Sequence, residues 1–310
     1  MPIAVDVAYV VYQVTDLDRM ESFLADFGLV RAARTANALY MRGAGAATYV
    51  HLTVKGSSNR FVGGALRVRS REDLEALAKL PGSSGVERVE APGGGLRVRM
   101  TTPDGVQIDG VWGTEDAPPL ALRPPNPFNA AARKERHNQS LRPKREPALV
   151  LRLGHFVLRV ANHDQSVAWF RERFGLLASD YICVPGDESK VIGTFLRCDR
   201  GEELVDHHAM LIVEAKETGV HHCSFEVQDV DAIMGAHDYL ATRGYRLDCG
   251  VGRHLLGSQI FDYWRDPFGF RVEHYTDGDV VNHAYRPGKF AGTADQTTQW
   301  GMDPPREFFE

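Results

Sequence analysis

Short apolar runs that pass into a 3.6-residue periodicity organise this chain, and the same run–cap–helix pattern returns at intervals. Residues 7–30, VAYVVYQVTDLDRMESFLADFGLV, read as an apolar strand, an Asp cap and an amphipathic helix ended by Phe-Gly-Leu. Residues 153–177, LGHFVLRVANHDQSVAWFRERFGLL, repeat that pattern. A second pair of units, GGALRVRSREDLEALAKLPG from Gly63 and VHHCSFEVQDVDAIMGAHDYLATRG from Val220, again reads as strand, acidic cap and helix. Each half closes with strands around a Pro-x-Gly turn, MTTPDGVQIDGVWG in the first and YWRDPFGFRVEHYTDG in the second. The self-similarity predicts four βαβββ modules paired into two domains. The expected fold class is α+β, each domain an open, barrel-like mixed sheet with helices outside.

The boundaries follow from where the pattern stops. Residues 1–118 form the first domain and 149–282 the second. Residues 119–148, rich in Pro, Arg and Asn, read as a linker over the surface. A tail at 283–310 has no period but carries Trp300, Phe308 and Phe309, which must pack on something. A lid over the site or a subunit contact are its two roles, and self-association into a homo-oligomer is expected.

Composition removes several classes. With 43 % hydrophobic and 25 % charged residues among 310, the chain is ordinary for a globular protein, and a net charge of −5 gives no case for nucleic acid. No apolar run approaches the roughly 18 residues of a membrane span, and the start MPIAVDVAYVVYQV lacks a basic region ahead of its apolar residues. Cys183, Cys198, Cys223 and Cys249 show no CxxC spacing and fit reduced thiols, so the expected location is the cytoplasm. Cys223 is expected in the core. The glycine runs at 43–45 and 93–95 lack the strand-to-helix setting of a nucleotide site.

Strand alternation then sorts the histidines. In GHFVLRV, His155, Val157 and Arg159 share one face, while Phe156, Leu158 and Val160 form an apolar face for helices. In HHCSFEV, Cys223, Phe225 and Val227 take the helix side and His222, Ser224 and Glu226 the inner side. In FRVEHY, Arg271, Glu273 and Tyr275 face inward together. His155, His222 and Glu273 therefore point into one cavity. Two imidazoles and a carboxylate make the facial triad of non-haem Fe(II) sites, which leaves positions open for substrate and oxygen. A closed zinc site would need four ligands. The neighbours His207 and His221 are expected to face away, since adjacent strand residues point oppositely. Aligning the repeats sets Tyr9, Gly63 and Asp109 where the second half has His155, His222 and Glu273, so the first domain is expected to be metal-free. His51 reads as an ordinary core or surface residue.

The stretch 252–273, GRHLLGSQIFDYWRDPFGFRVE, is read as a hairpin that places His254, Tyr263 and Glu273 together. Gly252-Arg253-His254, Tyr263, Asp266-Pro267-Phe268-Gly269 and Glu273 resemble the motif of the type I extradiol ring-cleavage dioxygenases of the vicinal oxygen chelate superfamily, and the likeness runs over the whole chain. The resemblance implies His155, His222 and Glu273 as metal ligands, Fe(II) or sometimes Mn(II) as the metal, and a catechol-type aromatic diol with O2 as substrates. It further implies His208 as acid–base histidine, with His254 and Tyr263 contacting substrate and oxygen. His208 is preferred to His207 on an alternation that groups it with Met210 and Ile212. Asp262, where the family has an apolar residue, departs from the pattern and points to an altered pocket and a substituted or bulky diol. The alternatives are a glyoxalase-like metalloenzyme of the same superfamily and a non-catalytic protein that binds an aromatic ligand.

Overall fold

The structure is a computed structural model that describes residues 2–302, 304, 305 and 308. The first half supplies β1 (Ala4–Val14), α1 (Leu17–Phe27), β2 (Val30–Arg34), β3 (Ala38–Arg42) and β4 (His51–Lys55), then β5 (Arg60–Val68), α2 (Arg71–Leu77), β6 (Glu87–Arg88), β7 (Leu96–Thr101) and β8 (Gln107–Trp112). The second half supplies β9 (Val150–Val160), α3 (His163–Phe174), β10 (Leu177–Val184), β11 (Asp187–Arg197), β12 (Val205–Asp206) and β13 (Met210–Glu214). It continues with β14 (Gly219–Val227), α4 (Val230–Thr242), β15 (Arg246–His254), β16 (Ile260–Arg265) and β17 (Arg271–Thr276). The short β12 aside, this is βαβββ four times. Residues 113–149 contain no helix or strand.

The helices start and stop where local chemistry requires. The Asp16 side chain accepts from the backbone N–H groups of Asp18 and Arg19, and Asn162 from that of Gln165. Gly28 ends α1 at φ 108, and any Cβ there would meet the Ala148 carbonyl oxygen at 1.7 Å, so only glycine fits. Asp229 caps α4, but α2 is capped by Ser70 and not by an acid. The acidic residues of that stretch, Glu72 and Asp73, sit inside the first turn, where the helix dipole favours them.

Two mixed sheets result, of eight strands (β2-β3-β4-β1-β5-β8-β7-β6) and ten, neither closed into a barrel. In the ten-stranded sheet the order is β19-β10-β11-β13-β9-β14-β17-β16-β15-β20. Its outer strands β19 (Gly288–Ala291) and β20 (Thr298–Gly301) come from the tail, while β18 (Val280–Val281) pairs with β12. The tail thus occupies both edges of the second sheet, although its sequence has no strand period. An edge strand needs only its backbone groups to pair and so leaves little imprint on side-chain pattern.

One apolar core runs through both halves. Phe27 of α1 stacks on His274 of β17 at 3.7 Å between ring centres, and His274 Nε2 donates to the Phe27 carbonyl oxygen at 2.7 Å. Tyr12 Oη lies 3.0 Å from Cys223 Sγ. Cys223 is a core residue, and so is His51, buried and stacked on Tyr12.

Register is what positions the site. Ser224 of β14 pairs with His155 on one side and Glu273 on the other. In the first sheet Ala65 of β5 pairs with Tyr9 and with Asp109 in the same way. The two halves therefore superpose residue on residue at their centres, as the repeat alignment set them.

Candidate active site

The central strands β9, β14 and β17 bring three polar side chains to one face. His155 Nε2 lies 3.3 Å from Glu273 Oε2, His222 Nε2 lies 3.3 Å from the same oxygen, and the two Nε2 atoms lie 3.3 Å apart. All three residues are buried, Glu273 completely. Neither Glu273 oxygen has a hydrogen bond of acceptable geometry, which is a costly state for a buried carboxylate. Burial alone would raise the Glu273 carboxyl, but the surrounding His155, His222 and His254 outweigh it and hold it well below the usual carboxylate range. Burial keeps His222 neutral by lowering it to about 4.

An ionised carboxylate with no proper donor, converging with two imidazole nitrogens, is a donor set that suits a cation. The centre of a triangle of side 3.3 Å lies about 1.9 Å (3.3/√3) from each corner. A small step out of that plane reaches the roughly 2.0–2.2 Å of nitrogen and oxygen bonds to a first-row metal. Among the described residues this is the one His/Cys/Asp/Glu group whose ligand atoms all converge, within 4.8 Å. The donor set fits a divalent metal with positions left open.

The same face forms the floor of a cavity of about 160 Å³. That is close to the roughly 150 Å³ of an engineered apolar cavity that takes one benzene. Val157, Ile182, Phe195, Leu211 and Leu256 give it apolar walls, and His208, His254 and Tyr263 supply polar groups. The His208 ring sits 4.2 Å from that of His155 and edge-on to Phe195. Burial first, then the neighbouring His155 and His207, hold it well below its ordinary value, so it is neutral. Tyr263 pairs with Glu273 across the β16–β17 hairpin, and its hydroxyl lies 2.9 Å from His254 Nε2. Burial, reinforced by Glu273, holds the Tyr263 phenol well above 10, so it keeps its proton.

Several expectations need correction. His208 is not in a strand: β13 begins at Met210, and His207 and His208 lie in the bend before it. Met210 and Ile212 face the helix-packed core, while Leu211 and Val213 line the cavity, so the alternation used to choose His208 pointed the wrong way. The bend, and not the pleat, turns His208 inward. His221 does not face away either. A register shift between Val220 and His222 breaks the alternation, and His221 lines the cavity with its Nδ1 2.6 Å from Nδ1 of His222. His221 Nε2 lies 2.7 Å from the Phe308 carbonyl oxygen. Asp262 points away from the cavity, accepting from Trp264 Nε1 at 2.7 Å and lying 3.0 Å from His237 Nδ1 of α4. It tunes the helix contact and not the pocket. Phe308 lines the cavity with its ring 4.9 Å from that of Tyr263, whereas Trp300 is half exposed and Phe309 lies outside the described residues. Asp180, Phe195 and the Thr297 carbonyl near His254 Nδ1 carried no sequence signal, because each comes from a distant segment.

Sequence and fold both resemble known proteins. Residues 152–274 match the model of the Glyoxalase/Bleomycin resistance protein/Dioxygenase superfamily. Over 96 % of this chain and 88 % of the relative, the sequence is 29 % identical to metapyrocatechase 2 of Cupriavidus necator. Among solved structures, the Mn(II)-bound glyoxalase of Novosphingobium aromaticivorans superposes with a TM-score of 0.82 at 24 % identity, covering 99 % of this chain and 94 % of that one. The homoprotocatechuate 2,3-dioxygenase of Brevibacterium fuscum, in complex with 3,4-dihydroxyphenylacetate, does so with 0.81 at 20 % identity, covering 99 % and 92 %.

Proposed function

We propose that this protein is an extradiol dioxygenase, which opens the ring of a catechol-type diol with O2 at a divalent metal held by His155, His222 and Glu273. The observation that carries the reading is the 3.3 Å triangle of two imidazole nitrogens and a carboxylate oxygen without a donor, set in the floor of an apolar cavity sized for one aromatic ring. The similarity supports it, because a relative matched over 96 % of this chain is a metapyrocatechase, and others matched over about half of it are a biphenyl-2,3-diol 1,2-dioxygenase and a 3-methylcatechol 2,3-dioxygenase. Fe(II) or Mn(II) suits the donor set, and the fold is shared with a manganese-bound protein.

The bound metal supplies Lewis acidity and a route for electrons from diol to O2. The chain's own residues do the rest. His208, neutral and buried, accepts a proton from a diol hydroxyl and can return it as the ring opens. Tyr263 keeps its phenolic proton, which His254 Nε2 accepts in this structure, and rotation of the hydroxyl off His254 would turn that hydrogen bond to oxygen atoms at the cavity floor. The apolar walls exclude water from the reacting groups and would contact alkyl substituents on the ring. Both oxygen atoms of O2 enter the product, so no external reductant is required. The tail acts as a lid through Phe308, and the chain associates with copies of itself; mass in solution tests the second point. No described helix is long and apolar enough to cross a membrane, and the four buried free cysteines fit a reducing cytoplasm.

The test is anaerobic loading with Fe(II), followed by catechol and alkylcatechols in air-saturated buffer. The reading predicts a coloured ring-fission product with oxygen uptake. Absence of both across the series would refute it.

A further inference from the structure

His208 does not stand alone. Its Nδ1 lies 3.1 Å from Nδ1 of His207, and Nε2 of His207 lies 2.9 Å from Oδ2 of Asp180. All three residues are at most 3 % exposed. A carboxylate only accepts, so the His207 Nε2 proton is the one given to Asp180. His207 Nδ1 is then a lone pair, and the 3.1 Å contact places a hydrogen on His208 Nδ1. That leaves His208 Nε2 as the basic nitrogen of a residue that lines the cavity. Asp180 is fixed from its far side, where the backbone N–H of Gly288 donates to Oδ1 at 2.7 Å and the Tyr285 hydroxyl to Oδ2 at 3.3 Å.

The internal repeat supplies a control. The pairs Ala33↔Tyr40, Met41↔His51 and His51↔Val10 in the first sheet correspond to Asp180↔Phe195, Leu196↔Met210 and Met210↔Phe156 in the second. Counting back from β4 and β13, Tyr49 stands where His208 stands and Thr48 where His207 stands, while Ala33 replaces Asp180. The half without the His155, His222 and Glu273 set also lacks every member of this relay, although its strands are the same. Burying a carboxylate and two imidazoles costs stability that apolar residues would not cost, so the fold does not require them.

We propose that Asp180 and His207 are positioning residues that hold His208 as its Nδ1–H tautomer, with Nε2 free to take the diol proton. This rests on the diol-cleaving reading of the cavity, but its first test does not. In metal-free protein carrying ¹⁵N-labelled histidine, long-range ¹H–¹⁵N spectra should show His208 protonated on Nδ1, and Asp180→Asn should abolish that preference. In turnover, Asp180→Asn should lower kcat roughly 10- to 100-fold, less than the ~10⁴ of a directly coupled aspartate–histidine pair because one imidazole intervenes. KM for the diol and the bound metal should stay unchanged. In a His208→Ala background, Asp180→Asn should cost nothing further. His207→Asn, whose amide oxygen can still accept from His208 Nδ1–H, should keep most of the rate, and His207→Leu should lose it; this pair decides the matter if Asp180→Asn does not fold. The proposal is overturned if His208 carries its proton on Nε2, if the Asp180→Asn penalty persists without His208, or if His207→Asn and His207→Leu behave alike. A wild-type protein that binds metal yet opens no diol ring would sink the functional reading and leave the tautomer to decide this one.

Discussion

Glu273 is the residue on which the site turns. It is fully buried, ionised and without a proper hydrogen-bond donor, and Tyr263 and Ser224 flank it across its two neighbouring strands. Replacing it by Gln removes the charge but keeps the volume, so bound metal should fall by at least about tenfold, measured by metal analysis after gel filtration. His222→Ala should do the same. His208→Ala should retain the metal and lose about 10²–10⁴ in turnover, the usual share of a general acid–base group. Retention of full turnover by His208→Ala would remove it from the mechanism. At this scale the convergence of His155, His222 and Glu273 was legible because strand alternation carries all three to one face, His222 lying just past the register shift that turns His221. His207, His221 and Asp180 were not, because a bend, a register shift and a distant strand decide their directions, and none of these has a local signature.

Among the elements, the β16–β17 hairpin aims Glu273, and its turn is held by Asp266. The Asp266 carboxylate accepts from the backbone N–H groups of Phe268 and Phe270 at 2.8 and 2.9 Å. Burial pushes its carboxyl up to about 7, against the pull of those hydrogen bonds. Asp266→Ala would remove the partner of both N–H groups at a half-buried turn. The expected loss is about 1–3 kcal/mol in thermal unfolding, with weakened metal retention because the register at Tyr263↔Glu273 loosens. Unchanged melting and metal content would show that the turn does not set the register. The four helices and their caps were readable from periodicity and cap residues, Ser70 of α2 excepted. The strands β19 and β20 were not, since edge pairing rests on backbone groups.

At the scale of the molecule, buried imidazoles set the response to acid. Burial lowers His51 to about 3 and His222 and His274 to about 4, and holds His208 and His221 well below 6.5. These groups stay neutral in the folded protein and take up protons only when it unfolds. Stability of the metal-free protein is therefore highest above about pH 6.5 and falls as pH drops towards 4 and below, because these five imidazoles outnumber Asp6 and Asp266, whose buried carboxyls, raised to about 6 and about 7, oppose the trend. Urea titrations at steps of pH should show this fall, and His51→Gln, far from the cavity, should make it shallower by about one proton. A stability that is flat between pH 6.5 and 4 would contradict the burial of these rings. The twofold repeat, legible in the sequence, explains why two alike halves share one core. It also shows where they part: Tyr9 donates to Asp109 at 2.9 Å in the first sheet, in the place where His155 and Glu273 converge in the second.

The central claim is that a diol ring is opened by O2 at the His155, His222 and Glu273 centre. Its most direct measurement is the ratio of O2 consumed to catechol consumed by the Fe(II)-loaded protein, run beside Glu273→Gln under the same loading. The account predicts one O2 per catechol with a yellow ring-fission product in the wild type, and neither in the variant. Oxygen uptake that fails in the wild type, or persists in Glu273→Gln, would contradict it.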